Sequence, residues 1–138
     1  MVGKVLYICR ANIGRSQIAE AYHNNYSHSS DAISAGTYVN EHDGEIIWEN
    51  KNAKYVLEVM NEEGIDIINN KRKQLNPEMV NQSDKIVMIA KKEDCPIYLT
   101  KNPKVIYWDI EDAKGTDYNF HVKIRDQIKL KVKELLQK

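Results

Sequence analysis

The sequence predicts an α/β fold, an open and mostly parallel sheet covered by helices on both faces. Two observations carry that prediction. Four short apolar runs, Lys4–Ile8, Asp31–Gly36, Lys85–Ile89 and Val105–Trp108, alternate with stretches of helix-forming residues. The last of those stretches repeats Phe120, Ile124, Ile128, Val132 and Leu135 every three or four positions, the period of a helix with one apolar face. Ligands of such sheets sit beyond the carboxyl ends of the strands, and the first apolar run ends directly at Cys9.

Taken in order, Lys4–Ile8 reads as a buried strand. Gln17 to about Tyr26 reads as a helix of good formers with Ile18, Ala19, Tyr22 and Tyr26 inward, stopped by the polar residues Ser27 to Ser30. Asp31–Gly36 is a second strand that leaves through a glycine. Thr37 to Asn52, with Gly44, several acids and Trp48, predicts an irregular rim. Ala53–Glu63 is amphipathic through Val56, Leu57 and Met60, and Gly64 stops it. Ile65–Ile68 then returns as an extended segment, and Pro77 starts a short helical turn. After the third and fourth strands, Asp117 or Thr116 caps the last helix. No repeat or linker interrupts the chain, so residues 1–138 are expected to form one domain.

Twenty Lys plus Arg against twenty Asp plus Glu argue against a general nucleic-acid or membrane-surface binder. No apolar stretch has the length of a signal peptide or a membrane span, and the expected location is the cytosol. The two cysteines, Cys9 and Cys95, form no metal-ligand pattern and read as reactive thiols rather than a structural disulfide.

Chemistry concentrates in Cys9-Arg10-Ala11-Asn12-Ile13-Gly14-Arg15-Ser16. The five residues between Cys9 and Arg15 are enough to wrap backbone N–H groups around one tetrahedral anion, with a helix N-terminus aimed at the same place. That field favours a thiolate, so Cys9 is expected to have a depressed pKa and to act as a nucleophile. Arg15 adds a planar fork for two phosphoryl oxygens. Asn12 ties the loop together and Ser16 donates a hydroxyl to the sulfur. A Cys and an Arg at this distance also occur by chance, with a merely structural cysteine after the strand; the additional residues turn the balance.

The pattern Cys9-x-x-Asn12-x-x-Arg15-Ser16-x-x-Ala19-Glu20-Ala21 resembles the low-molecular-weight protein tyrosine phosphatases and their relatives, the thioredoxin-linked arsenate reductases. The resemblance extends through Ser34-Ala35-Gly36-Thr37, Gly64-Ile65-Asp66-Ile67 and Cys95-Pro96-Ile97 to the last helix. It implies a three-layer sandwich around a four-stranded parallel sheet. It also implies that the general acid comes from Trp108-Asp109-Ile110-Glu111-Asp112-Ala113 and falls on Asp112. The family's proline after that aspartate is Ala113 here, which implies a looser loop, and Tyr118 lies too far along to match the tyrosine pair of animal members. Cys95 resembles the last of the three reductase thiols, whereas the middle one falls at Ala90, so an intact relay is excluded. Asn12, Glu20, Ser34 and Asp66 match positions that hold a potassium ion in reductase relatives, and bracing of the loop without an ion is the equal alternative.

These readings converge on a phosphomonoester hydrolase. Cys9 attacks phosphorus, Arg15 and the amides of Arg10, Ala11, Asn12, Ile13, Gly14 and Ser16 hold the oxygens, and Asp112 moves the proton, with no metal or organic cofactor needed. The expected partner is a phosphorylated protein or a small phosphomonoester. The alternatives are an arsenate reductase served by an outside thiol such as thioredoxin, with Cys95 as an incomplete redox partner, and a non-catalytic phosphate or phosphopeptide binder. His23, His28, His42 and His121 are expected to be uninvolved and Lys71-Arg72-Lys73 to be a solvated basic turn. Tyr98 and Tyr107 are expected beside strands, and Trp48 at the rim or in the core.

Overall fold

The computed structural model describes residues 2–137. Its centre is β1 (Val5–Cys9), every residue of which is buried. β2 (Ala32–Gly36) and β3 (Lys85–Met88) pair with it on either side, and β4 (Val105–Tyr107) pairs with β3. All the pairings are parallel, in the order β2-β1-β3-β4. Parallel neighbours need crossovers, and the helices supply them: α1 (Arg15–Ser27), α2 (Lys54–Glu62), α3 (Pro77–Gln82), α4 (Ile97–Thr100) and α5 (Tyr118–Leu136).

Side chains alternate across a strand, and β1 shows what each face buries. Val5 and Tyr7 enter a core with Ile18 and Tyr22 of α1, Val56 and Met60 of α2, and Ile124, Ile128 and Val132 of α5. Leu6 and Ile8 enter a second core with Val80 of α3, Leu99 of α4, Ala90 and Cys95. The expected three-layer sandwich around a four-stranded parallel sheet is what forms.

Element ends differ from the sequence expectation by a residue or two. Cys9 belongs to β1, and α1 begins at Arg15 itself. Asp117 rather than Thr116 caps α5, its carboxylate accepting from the Phe120 N–H at 2.9 Å. Ile65–Ile68 does not join the sheet: Asp66 accepts from the Ile68 N–H and closes a turn there. The irregular rim between β2 and α2 is organised as three single 3₁₀ turns, Asn40–His42, Ile47–Glu49 and Lys51–Ala53. Trp48 stands half exposed on it, while its neighbour Ile47 is buried. Tyr98 is also half exposed, on the short α4, rather than packed beside a strand.

His23 is buried in α1, and its Nδ1 lies 2.7 Å from the Tyr7 hydroxyl. Burial holds its pKa below the ordinary imidazole value, with the nearby Asp31 carboxylate opposing that shift only in part. The unfolded chain therefore takes up this proton at a higher pH than the folded one. His23 contributes stability that is fully present above about pH 6.5 and is lost as pH falls below it toward the folded-state pKa. Urea unfolding at about pH 7.5 and about pH 5.5 should show lower stability at the acid value, and His23→Gln should flatten that difference. An equal acid loss in the variant would assign the effect elsewhere.

Candidate active site

β1 delivers Cys9 to the carboxyl end of the sheet, and the chain turns through residues 10–14 into α1. The turn requires a left-handed residue, and Asn12 takes it with φ 56°. Its amide closes the loop from inside. Oδ1 accepts from the Lys73 N–H at 2.8 Å and from Gln17 Nε2 at 3.1 Å. Nδ2 donates to Ser16 Oγ at 2.7 Å and to Ser34 Oγ at 3.0 Å. Ser16 Oγ thus has an acceptor position filled by the amide, and its own hydrogen is free for Cys9 Sγ, 3.0 Å away. Negative charge on the sulfur is met by that O–H and by the start of α1.

Other contacts pull the loop's carbonyls outward. Arg10 O accepts from the Tyr38 N–H, Ala11 O from Arg72 Nε at 3.1 Å, and Asn12 O from Gln17 Nε2. Among the described residues, no backbone or side-chain acceptor meets the N–H groups of Arg10 through Ser16. A loop with its carbonyls tied back and its N–H groups unspent is an anion cradle. Gly36, opposite Cys9 in the register, makes room for it: a Cβ there would stand 2.6 Å from Arg10 O and 3.0 Å from Asn12 N.

One cavity at this end of the sheet is lined by Cys9, Ile13, Arg15, Asp112 and His121, among others. Arg15 is almost wholly buried. One arm donates to Ile110 O at 3.1 Å, and the other lies 3.7 Å from Asp112 Oδ2. The guanidinium therefore joins the anion loop to the acid-bearing loop. Of the three carboxylates after β4, only Asp112 lines this cavity; Asp109 borders a separate groove with Ala90, Lys91 and Tyr107. Where the family has a proline, Ala113 lies in a stretch held by local hydrogen bonds. Asp112 Oδ1 accepts from the Lys114 N–H, and Ala113 O accepts from both the N–H and the hydroxyl of Thr116.

Two site residues escaped the sequence reading. Arg72 is buried, not solvated, and besides holding Ala11 O it pairs with Glu45 at 2.9 Å. Hydrogen bonding to Arg72 holds the Glu45 carboxyl below its usual range. His121 is buried in the cavity wall, 2.8 Å through Nδ1 from Asp117 O. A carbonyl only accepts, so Nδ1 carries the ring hydrogen. Tyr55 packs edge-on against both His121 and Tyr118, which puts an aromatic group beside this wall. The side chain of Arg10 does not reach into the loop: its guanidinium lies over the Tyr38 ring, 4.9 Å from the centroid.

The two thiols are separated by the sheet. Cys9 continues the Val5–Tyr7 row, whereas Cys95 packs with Leu6, Ile8 and Ala90 in the core of the other face. Cys95 is 7% exposed and lies 3.7 Å from the Tyr107 hydroxyl.

Arg15→Lys keeps the charge and loses the fork that spans two acceptors. The rate on p-nitrophenyl phosphate should drop by about 10²–10³, the scale for one preorganised oxyanion donor. A near-normal rate would mean that the amides alone do the holding.

Comparisons with known proteins agree with this fold. The family model described as low molecular weight phosphotyrosine protein phosphatase matches residues 4–138. Arsenate reductase 2 of Staphylococcus haemolyticus is 32% identical over 127 residues, covering 91% of this chain and 89% of that protein. The solved thioredoxin-dependent arsenate reductase of Corynebacterium glutamicum is 30% identical with a TM-score of 0.71, over 99% of this chain and 61% of the other. A low molecular weight protein tyrosine phosphatase from T. tengcongensis shares the fold, with a TM-score of 0.80, 24% identity and 98% of each chain covered. By its motif, its sheet order and the span of that match, the chain belongs to the low molecular weight phosphotyrosine protein phosphatase family.

Proposed function

We propose that the protein hydrolyses phosphomonoesters through a cysteinyl-phosphate intermediate. The observation that carries this reading is the meeting of Cys9, Arg15 and Asp112 in one cavity, with the guanidinium 3.7 Å from the carboxylate. The substrate's phosphoryl oxygens take the N–H groups of residues 10–16 and the Arg15 fork. Cys9 sulfur attacks phosphorus in line, and the ester P–O bond breaks as the S–P bond forms. Asp112, in its protonated form, gives its hydrogen to the departing oxygen. The resulting carboxylate then takes a proton from water, whose oxygen attacks phosphorus and releases phosphate and the Cys9 thiolate. Every step uses this chain's own side chains. A phosphorylated protein or a small phosphomonoester fits as substrate, and Ile13, Val56, Ile124 and His121 supply apolar and aromatic surface in the same cavity.

A second reading is favoured by the relatives named arsenate reductases. Reducing arsenate to arsenite and water takes two electrons, drawn from two thiols that end as a disulfide. Cys9 supplies one thiol. Ala90 occupies the middle relay position and Cys95 lies across the sheet, so the second thiol would have to come from an outside carrier of the thioredoxin class. Assays of phosphotyrosine, phosphoserine and arsenate side by side, the last with a dithiol, decide between the readings. Hydrolysis of a phosphomonoester without dithiol supports the first. Dithiol-dependent arsenate turnover with no hydrolysis replaces it by the second, and inertness toward all three leaves a phosphate binder.

A further inference from the structure

The potassium site implied by the family resemblance does not fit the donors found here. A cation needs oxygens with unspent lone pairs turned toward one point. Asn12 Oδ1 already accepts from Lys73 N and Gln17 Nε2, and Ser34 Oγ takes the Asn12 amide. Asp66 is exposed and its carboxylate closes its own turn. Glu20 keeps a carboxylate, half-hidden on α1, and a cation belonging to the chain already stands before it. Lys73 Nζ is 3.8 Å from Glu20 Oε1 and donates to Lys71 O at 3.1 Å.

We infer that Lys73 is a positioning residue whose ammonium takes the place of a bound monovalent cation beneath the anion loop. Its two ends act together. The ammonium clamps segment 71–74 to α1 through Glu20, and Gln17 Nε2 reinforces the clamp on the same Lys71 carbonyl. The backbone N–H of Lys73 then fixes Asn12 Oδ1, which sets the direction of the amide. That direction makes Ser16 an acceptor from Asn12 and sends its hydrogen to Cys9. The same segment is hooked to the end of β2, where the Gly36 N–H donates to Lys73 O. Losing the ammonium would leave the Glu20 carboxylate and the Lys71 carbonyl facing each other with no positive charge between them, and the segment free to shift away from Asn12.

The inference depends on the loop and not on which oxyanion is turned over, so phosphate binding tests it even if hydrolysis is absent. Thermal unfolding and calorimetric titration with inorganic phosphate are run in potassium, sodium and tetramethylammonium chloride at equal ionic strength. The wild type should give the same melting temperature and phosphate affinity in all three. Lys73→Met should bind phosphate about tenfold more weakly in all three salts, short of the ~10²-fold that a full 1 Å misplacement costs, because the donors left behind do not make a potassium site. Lys73→Arg should stay near wild type, and Glu20→Gln/Lys73→Met, which removes both ends of one ion pair, should bind no more weakly than Lys73→Met. A melting temperature or affinity of the wild type that rises specifically with potassium would overturn the inference. So would a Lys73→Met protein indistinguishable from wild type in every salt. If Lys73→Met does not fold, Glu20→Gln, which breaks the same ion pair, takes its place with the same expected loss in every salt.

Discussion

Cys9→Ser should lower turnover of any phosphomonoester by on the order of 10⁵-fold or more, the scale of losing a covalent nucleophile outright. The exchange is nearly isosteric, yet a serine hydroxyl stays protonated near neutral pH and needs a base to attack. Nothing in the loop supplies one: the nearest group, Ser16 Oγ, is directed by Asn12 to donate rather than to accept. The N–H groups of residues 10–16 and the Arg15 fork are untouched by the substitution, so phosphate or vanadate should bind with affinity close to that of the wild type. The pair of measurements is what discriminates. Turnover lost with binding kept identifies Cys9 as the nucleophile. Substantial hydrolysis by the purified variant would remove it from the mechanism, and loss of both would mean that the sulfur shapes the loop.

What could be read from the chain was what is local in it. The anion loop, the start of α1 and the Asp117 cap depend on residues within a few positions of one another, and the strand–loop–helix context around Cys9 was therefore legible. Arg72 was not. Within Lys71-Arg72-Lys73 it looks like any solvated cation, and its partners Ala11 and Glu45 lie 61 and 27 positions away. A carbonyl that must point out of an anion loop and a half-buried carboxylate are both good reasons to bury an arginine, but neither is visible before the fold brings them together. His121 is a partial case: it stands three, seven and eleven positions before Ile124, Ile128 and Val132, on the apolar stripe of α5, so its burial was legible, whereas the cavity it lines is made by residues from both ends of the chain. Alternation along β1 assigns Cys9 to the face of Val5 and Tyr7. Cys95 sits in an irregular stretch with no period, so its place on the other face awaited the structure.

Asp112→Asn should slow phosphomonoesters with poor leaving groups by about 10²–10⁴-fold, the usual contribution of a general acid. Esters of p-nitrophenol should suffer much less, because that phenolate leaves with little help from a proton. The contrast follows from position. Asp112 shares the cavity with Cys9, and its carboxylate, 3.7 Å from Arg15, is held at the mouth by the turn that ends at Lys114. Asparagine preserves that turn, since its side-chain oxygen still accepts from the Lys114 N–H, so a change in rate reports the proton and not the loop. Glu111 is exposed and Asp109 faces a different groove, which makes Glu111→Gln and Asp109→Asn the controls. Each should leave the dependence of rate on leaving-group pKa as in the wild type. A steeper dependence in Asp112→Asn alone places the acid on Asp112. The same steepening in either control, with Asp112→Asn unchanged, would move the acid to that residue and require the loop after β4 to rearrange before it could reach the substrate.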